Sequence, residues 1–180
     1  MRLPLGVTLA VDAAVWCAVQ VGAGYLVHRL PGPWLDNDHG VLRERSWERG
    51  GRFYREHLGV ARWKPWLPEG GAVFRGGVDK RSLRGATTEH LEHYRRETRR
   101  AEMGHWLALV PLPLFGLWNP PRLWPAMAAY AVAVNGPCIV SQRYNRLRLS
   151  RVLAARANGS RPSAAARARS SRGTSGNNMP

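Results

Sequence analysis

A chain of 180 residues with 27 basic and 12 acidic side chains carries a formal charge of +15, and 44% of its residues are hydrophobic. The hydrophobic residues gather in three blocks, which excludes an ordinary soluble core, and the mean hydropathy of −0.34 merely averages those blocks with an arginine-rich remainder. A basic surplus of this size suits an anionic surface, and the apolar blocks select lipid over nucleic acid.

The first block, residues 3–27, is interrupted only by Asp12 and Gln20 among strongly polar types and is long enough to cross a hydrocarbon layer of about 30 Å. It predicts a transmembrane helix, since the run exceeds a signal-peptide core and no clear small-residue cleavage site precedes His28. Asp12 is costly facing lipid, so it is expected to point at another helix, near a membrane face, or into a polar cavity. Cys17 and Cys138 both fall in apolar blocks and read as small hydrophobes, with no disulfide expected.

Residues 28–103 form the main polar loop, with 16 basic and 11 acidic side chains. Pro31-Gly32-Pro33 ends the first helix. A short amphipathic helix lying on the headgroups is expected over about Ser46–Leu58, and the prolines and glycines between Arg62 and Gly71 predict a loop. A longer helix starts at Thr87 or Thr88, with Leu91, Tyr94, Thr98, Ala101 and His105 in one stripe.

That helix runs without a break into a second apolar block, 104–118, which is short for a crossing and contains Pro111 and Pro113. It either crosses from a partly immersed start or is re-entrant. Asn119 to Arg122 makes a tight turn, and 123–141 returns as a third apolar block with Asn135, Gly136 and Pro137 in its middle. From Arg143 onward there are nine arginines and no acids, so the charge rule puts the loop and the C-terminal part in the cytoplasm. Residues 154–180 are expected to be a disordered basic tail attracted to anionic headgroups. The fold expected is therefore an all-α, multi-pass integral protein of the cell membrane, with about three transmembrane or re-entrant helices, amphipathic interfacial helices and that tail.

The junction Glu97-Thr98-Arg99-Arg100-Ala101-Glu102-Met103-Gly104-His105-Trp106 sits where water meets bilayer. Glu102 and His105, three apart, share a helix face, a spacing that suits a carboxylate orienting an imidazole. His105 is the candidate general base and Glu102 its companion; the plainer alternative is an interfacial histidine bonded to its neighbours. Arg100, Arg143 and Arg146, with Lys64, could grip the phosphates of an acyl-CoA or the acidic surface of an acyl-carrier protein, and the alternative for each is headgroup binding. Asn135 could contact sugar hydroxyls or cap a broken helix, whereas Asn119 reads as structural. His90 and His93 lack a completed ligand set, so no metal is expected. No Gly-rich phosphate loop, serine nucleophile elbow or His-x4-Asp box is present.

Taken together, Arg62-Trp63-Lys64 with Leu67-Pro68, Lys80 and Leu83, Glu97-Thr98-x-Arg100-x-Glu102-x-x-His105-Trp106, Trp118-Asn119-Pro120, Asn135 with Pro137, and Gln142-Arg143-Tyr144-Asn145-Arg146 resemble the glycosyl-4,4'-diaponeurosporenoate acyltransferase family. The resemblance covers roughly Leu5–Leu153. It implies a small membrane enzyme of carotenoid biosynthesis that transfers a fatty acyl group to the 6-hydroxyl of a glucose carried by a carotenoid acid. On that resemblance, Glu97, Arg100, Arg62, Lys64, Asn135, Gln142, Arg143, Tyr144, Asn145 and Arg146 are expected to bind substrate around His105 and Glu102. No cofactor is expected beyond an acyl-CoA or acyl-carrier-protein donor. The expected partners are membrane lipid, a glycosylated carotenoid or similar glycolipid, the acyl donor and other carotenoid enzymes, with no nucleic acid. The alternative is a non-enzymatic scaffold of a carotenoid or lipid biosynthetic complex.

Overall fold

The computed structural model describes residues 4–67 and 86–159, and among these every regular element is helical. Three long helices set the architecture, α1 (Leu5–His28), α4 (Thr88–Leu109) and α5 (Trp124–Gly159), with the short α2 (Arg52–Glu56) and α3 (Val60–Trp63) between them. α4 and α5 pack along each other as an antiparallel hairpin, and α1 lies against α4. Asp12 meets Asn119 at the hairpin turn, while Val27 lies beside Gly104, so α1 runs antiparallel to α4. Gly104 permits that approach, because a Cβ there would stand 3.3 Å from the Val27 side chain.

One end of the bundle is apolar. Leu9, Val21 and Leu26 of α1, Val110, Leu114 and Leu117 of the turn, and Val132 of α5 are exposed large hydrophobics. By length and composition α1 and α5 can cross a membrane, and only 17% of either apolar stretch is buried inside the protein. Between them Trp16 stacks on Phe115, with ring centroids 4.8 Å apart, over the buried Ala131.

At the other end the segment 32–51, in short 3-10 turns, caps the bundle together with α2 and α3. There Leu91 and Tyr94 of α4 clasp Leu149 and Leu153 of α5, while Tyr54 and Val60 pack on Tyr144 and Leu147. In water each such buried side chain is worth about 1.5–3 kcal/mol.

Several expectations are refined. The helix start at Thr87 is found, its hydroxyl accepting from the His90 amide at 3.3 Å. The block 104–118 is not a helix of its own: its first residues end α4 at Leu109, and 112–117 is a 3-10 turn. Pro111 and Pro113 lack the amide hydrogens an α-helix would need there. The amphipathic helix over 46–58 is broken into a 3-10 turn, Ser46–Gly51, and α2, because Arg49, Gly50 and Gly51 all have positive φ. Arg62 and Trp63 belong to α3 and Lys64–Trp66 to a 3-10 turn, so that part of the expected loop is helical; Pro68, Lys80 and Leu83 lie outside the described residues. The third block continues through Pro137 as one helix to Gly159, so 154–159 is helical where a disordered tail was expected; 160–180 lies outside the described residues. With 36 residues, α5 is about 54 Å long, well beyond the roughly 30 Å of a hydrocarbon core.

Candidate active site

Two polar clusters occupy the seam between α4 and α5, and both contain residues singled out from the sequence. The deeper one centres on Asn135, which is fully buried. Its amide nitrogen donates to the Ala131 carbonyl at 3.0 Å, which turns its oxygen toward the other helices. That oxygen accepts from Gln20 of α1 at 3.1 Å and stands 3.1 Å from Nδ1 of His105 on α4. An amide oxygen has no hydrogen to give, so Nδ1 must carry the proton in this contact. The lone pair of the neutral ring then sits on Nε2. A half-buried imidazole held in one tautomer by an asparagine is an arrangement found in acyl-transfer sites.

The second cluster begins one helical turn away. Glu102 is fully buried; its Oε1 accepts from Arg143 at 2.8 Å and its Oε2 from Arg146 at 2.9 Å. Arg146 also pairs with Asp38 at 2.6 Å, and Asp38 takes Arg99 at 2.6 Å. Arg143 donates further to both oxygens of Glu48 and to the carbonyls of Val41 and Arg43. Its five N–H bonds are thereby matched by five acceptors. Burial alone would push the Glu48 carboxyl up, but hydrogen bonds from Arg143, the Tyr54 hydroxyl and the Arg45 amide hold it below the ordinary carboxylate range. Tyr54 is correspondingly pushed up by burial and by the Glu48 carboxylate.

The expected Glu102–His105 pairing is therefore corrected. Two guanidinium groups occupy the carboxylate, and charge-assisted bonds of this kind outcompete an imidazole N–H. The expectation that Arg143 and Arg146 grip phosphate is corrected on the same ground, since both are buried and spent on carboxylates and carbonyls. Arg100 pairs with Glu97 in its own helix. Lys64 donates to Asn145, and Tyr144 packs beneath Tyr54. Arg62 is exposed and Gln142 half-buried. Asn119, read as structural, donates to Asp12 at 2.7 Å, and Trp118 joins it at 2.8 Å, so Asp12 does point at another element.

Sequence reasoning missed Gln20, Glu48 and Asp38. Gln20 carried a signal, being one of two strongly polar residues in the first apolar block, where an amide side chain is expected to hydrogen-bond to another helix. The arginine partners of Glu48 and Asp38 lie 95 and 108 residues further along the chain, so no local spacing reveals those two pairings.

The sequence profile described as glycosyl-4,4'-diaponeurosporenoate acyltransferase matches residues 38–155. Two proteins of that name from Staphylococcus aureus, of strains bovine RF122 / ET3-1 and MRSA252, are 32% and 31% identical to it over 139 residues, covering 77% of this chain and 83% of each relative. No solved structure matches.

Proposed function

The chain belongs to the glycosyl-4,4'-diaponeurosporenoate acyltransferase family and is an acyltransferase, and from that premise we propose that it esterifies the primary 6-hydroxyl of a glucose borne by a carotenoid acid, with His105 as the base. Membership as an enzyme displaces the scaffold alternative. The observation that carries the proposal is the contact between His105 Nδ1 and Asn135 Oδ1, which leaves Nε2 as a proton acceptor.

In the reaction, Nε2 takes the proton of the sugar hydroxyl as its oxygen adds to the carbonyl carbon of an activated acyl donor. The tetrahedral intermediate collapses, the bond to the leaving group breaks, and the imidazolium returns the proton to that leaving group. A thioester of coenzyme A or of an acyl-carrier protein supplies the donor chemistry, and no other cofactor enters the balance. Both substrates carry long hydrocarbon tails, and the exposed apolar surface beside the seam suits a reaction at the bilayer boundary. In this reading the protein is a multi-pass membrane enzyme with its charged end in the cytoplasm, as the arginine bias favours. Glu102, Arg143 and Arg146 hold α4 to α5 and so position His105.

The test is expression in cells that make the glycosylated carotenoid acid, with mass spectrometry of the pigment. A mass increase of one fatty acyl group is expected from the wild type. The variants His105→Ala and His105→Gln should lose on the order of 10²–10⁴ in rate at unchanged membrane abundance. Retained turnover in both would remove His105 from the chemistry, and an unacylated pigment with the wild type would remove the acceptor assignment.

A further inference from the structure

An open groove of about 530 Å³ runs along α2 and α3, with Arg55 and Arg62 on its rim. Through Leu58 and Trp63 it joins a smaller apolar recess, about 290 Å³, whose floor is Pro137 and Val140 of α5. Arg55 is tied only to the adjacent Glu56, at 3.1 Å, with both side chains about half exposed, a pair that yields easily in water. No carboxylate among the described residues pairs with Arg62. Trp63 is fixed in place by its indole N–H donating to the Leu58 carbonyl at 2.9 Å, and Trp66 beside it is 85% exposed. Rings so placed mark the boundary between headgroups and hydrocarbon.

The groove combines two kinds of wall. The arginine rim suits one phosphate, and the recess of Leu58, Trp63, Pro137 and Val140 suits a hydrocarbon chain entering sideways from the apolar end of α5. At about 100° per residue, Pro137 and Val140 lie roughly 140–160° around α5 from Asn135. A molecule in the recess is therefore on the side of α5 turned away from His105, which excludes an acyl donor reacting at that imidazole.

We propose that this groove is a site for one anionic phospholipid, its phosphate on Arg55 and Arg62 and one acyl chain against Trp63, Pro137 and Val140. The bound lipid fastens α2 and α3 to the membrane surface. It thereby supports the Glu48 and Tyr54 end of the charged cluster, since Tyr54 of α2 donates to Glu48.

The experiment uses the full chain in nanodiscs of phosphatidylcholine containing a minor fraction of phosphatidylglycerol. Lipid that stays on the protein after release is counted by native mass spectrometry. The wild type should retain one phosphatidylglycerol in preference to phosphatidylcholine. The double variant R55E/R62E should weaken that retention by about thirtyfold, from the loss of two phosphate contacts. Val140→Trp, which fills the recess and leaves the rim intact, should weaken it as well and serves if the charge-reversed protein does not fold. Equal retention in the wild type and the folded variants would overturn the proposal. A raised Michaelis constant for the acyl donor with phosphatidylglycerol retention unchanged would also overturn it. Loss of lipid retention with acylation by His105 intact would uphold the site independently of the proposed reaction.

Discussion

Glu102 and Arg143 stand 41 residues apart in the chain and meet at 2.8 Å in the interior, where neither has water to fall back on. This ion pair, doubled by Arg146, locks the register of α4 against α5. One turn further along α4 the same register delivers His105 to Asn135. The charged cluster and the proposed reaction centre are thus two rungs of one ladder.

Removing Glu102 tests that relationship. Glu102→Ala leaves two buried guanidinium groups short of a carboxylate, and breaking a buried pair in this way costs about 3–5 kcal/mol. A large fall in the thermal midpoint in detergent is expected. A protein as stable as wild type but slow in acylation would instead give Glu102 a direct chemical part.

Asn135 gives a graded test. Asn135→Ala removes the acceptor that fixes the imidazole tautomer, and should lower the turnover number less than His105→Ala does. Asn135→Asp keeps an acceptor for Nδ1–H and introduces a charge. It should therefore keep more of the turnover than Asn135→Ala does. Equal turnover in Asn135→Ala and wild type would sever the two residues.

Acid should loosen the charged end through Glu48. Its carboxyl lies below the ordinary value in the folded protein, so its contribution to stability is complete above the unfolded-state value of about 4.3 and is lost as pH falls through the lowered folded value. Unfolding measured from pH 6 downward should therefore steepen in the wild type below about pH 5, and Glu48→Gln should flatten that limb. Parallel acid limbs would show that Glu48 titrates alike folded and unfolded.

Gly51 offers a backbone test. Its φ of +91°, in the left-handed region where a Cβ is strained, makes Gly51→Ala unfavourable by about 1–2 kcal/mol. The loss should appear as a lower thermal midpoint with the Michaelis constants unchanged.

Much of this was legible in the sequence. The periodic stripe from Leu91 to His105 located α4 and the threonine cap began it, because helical spacing and capping are local. The hairpin followed from two apolar blocks joined by Asn119-Pro120-Pro121. The length of α5 was not read, because Arg143 and Arg146 look like the end of a crossing. Yet Ala154, Ala155, Arg156 and Ala157 are strong helix formers, and Leu149 and Leu153 had the spacing to grip a partner. The partner of His105 was misassigned for a different reason. Glu102 was near in sequence, but two arginines arriving from α5 claimed it, and only the register of the hairpin shows that Asn135 is at hand.

The unbroken run of α5 has a mechanical consequence. Asn135 and the arginine-clamped region ride on the same helix, and Pro137 between them has no amide hydrogen for the carbonyl one turn back, so α5 bends most easily right beside the residue that holds the imidazole.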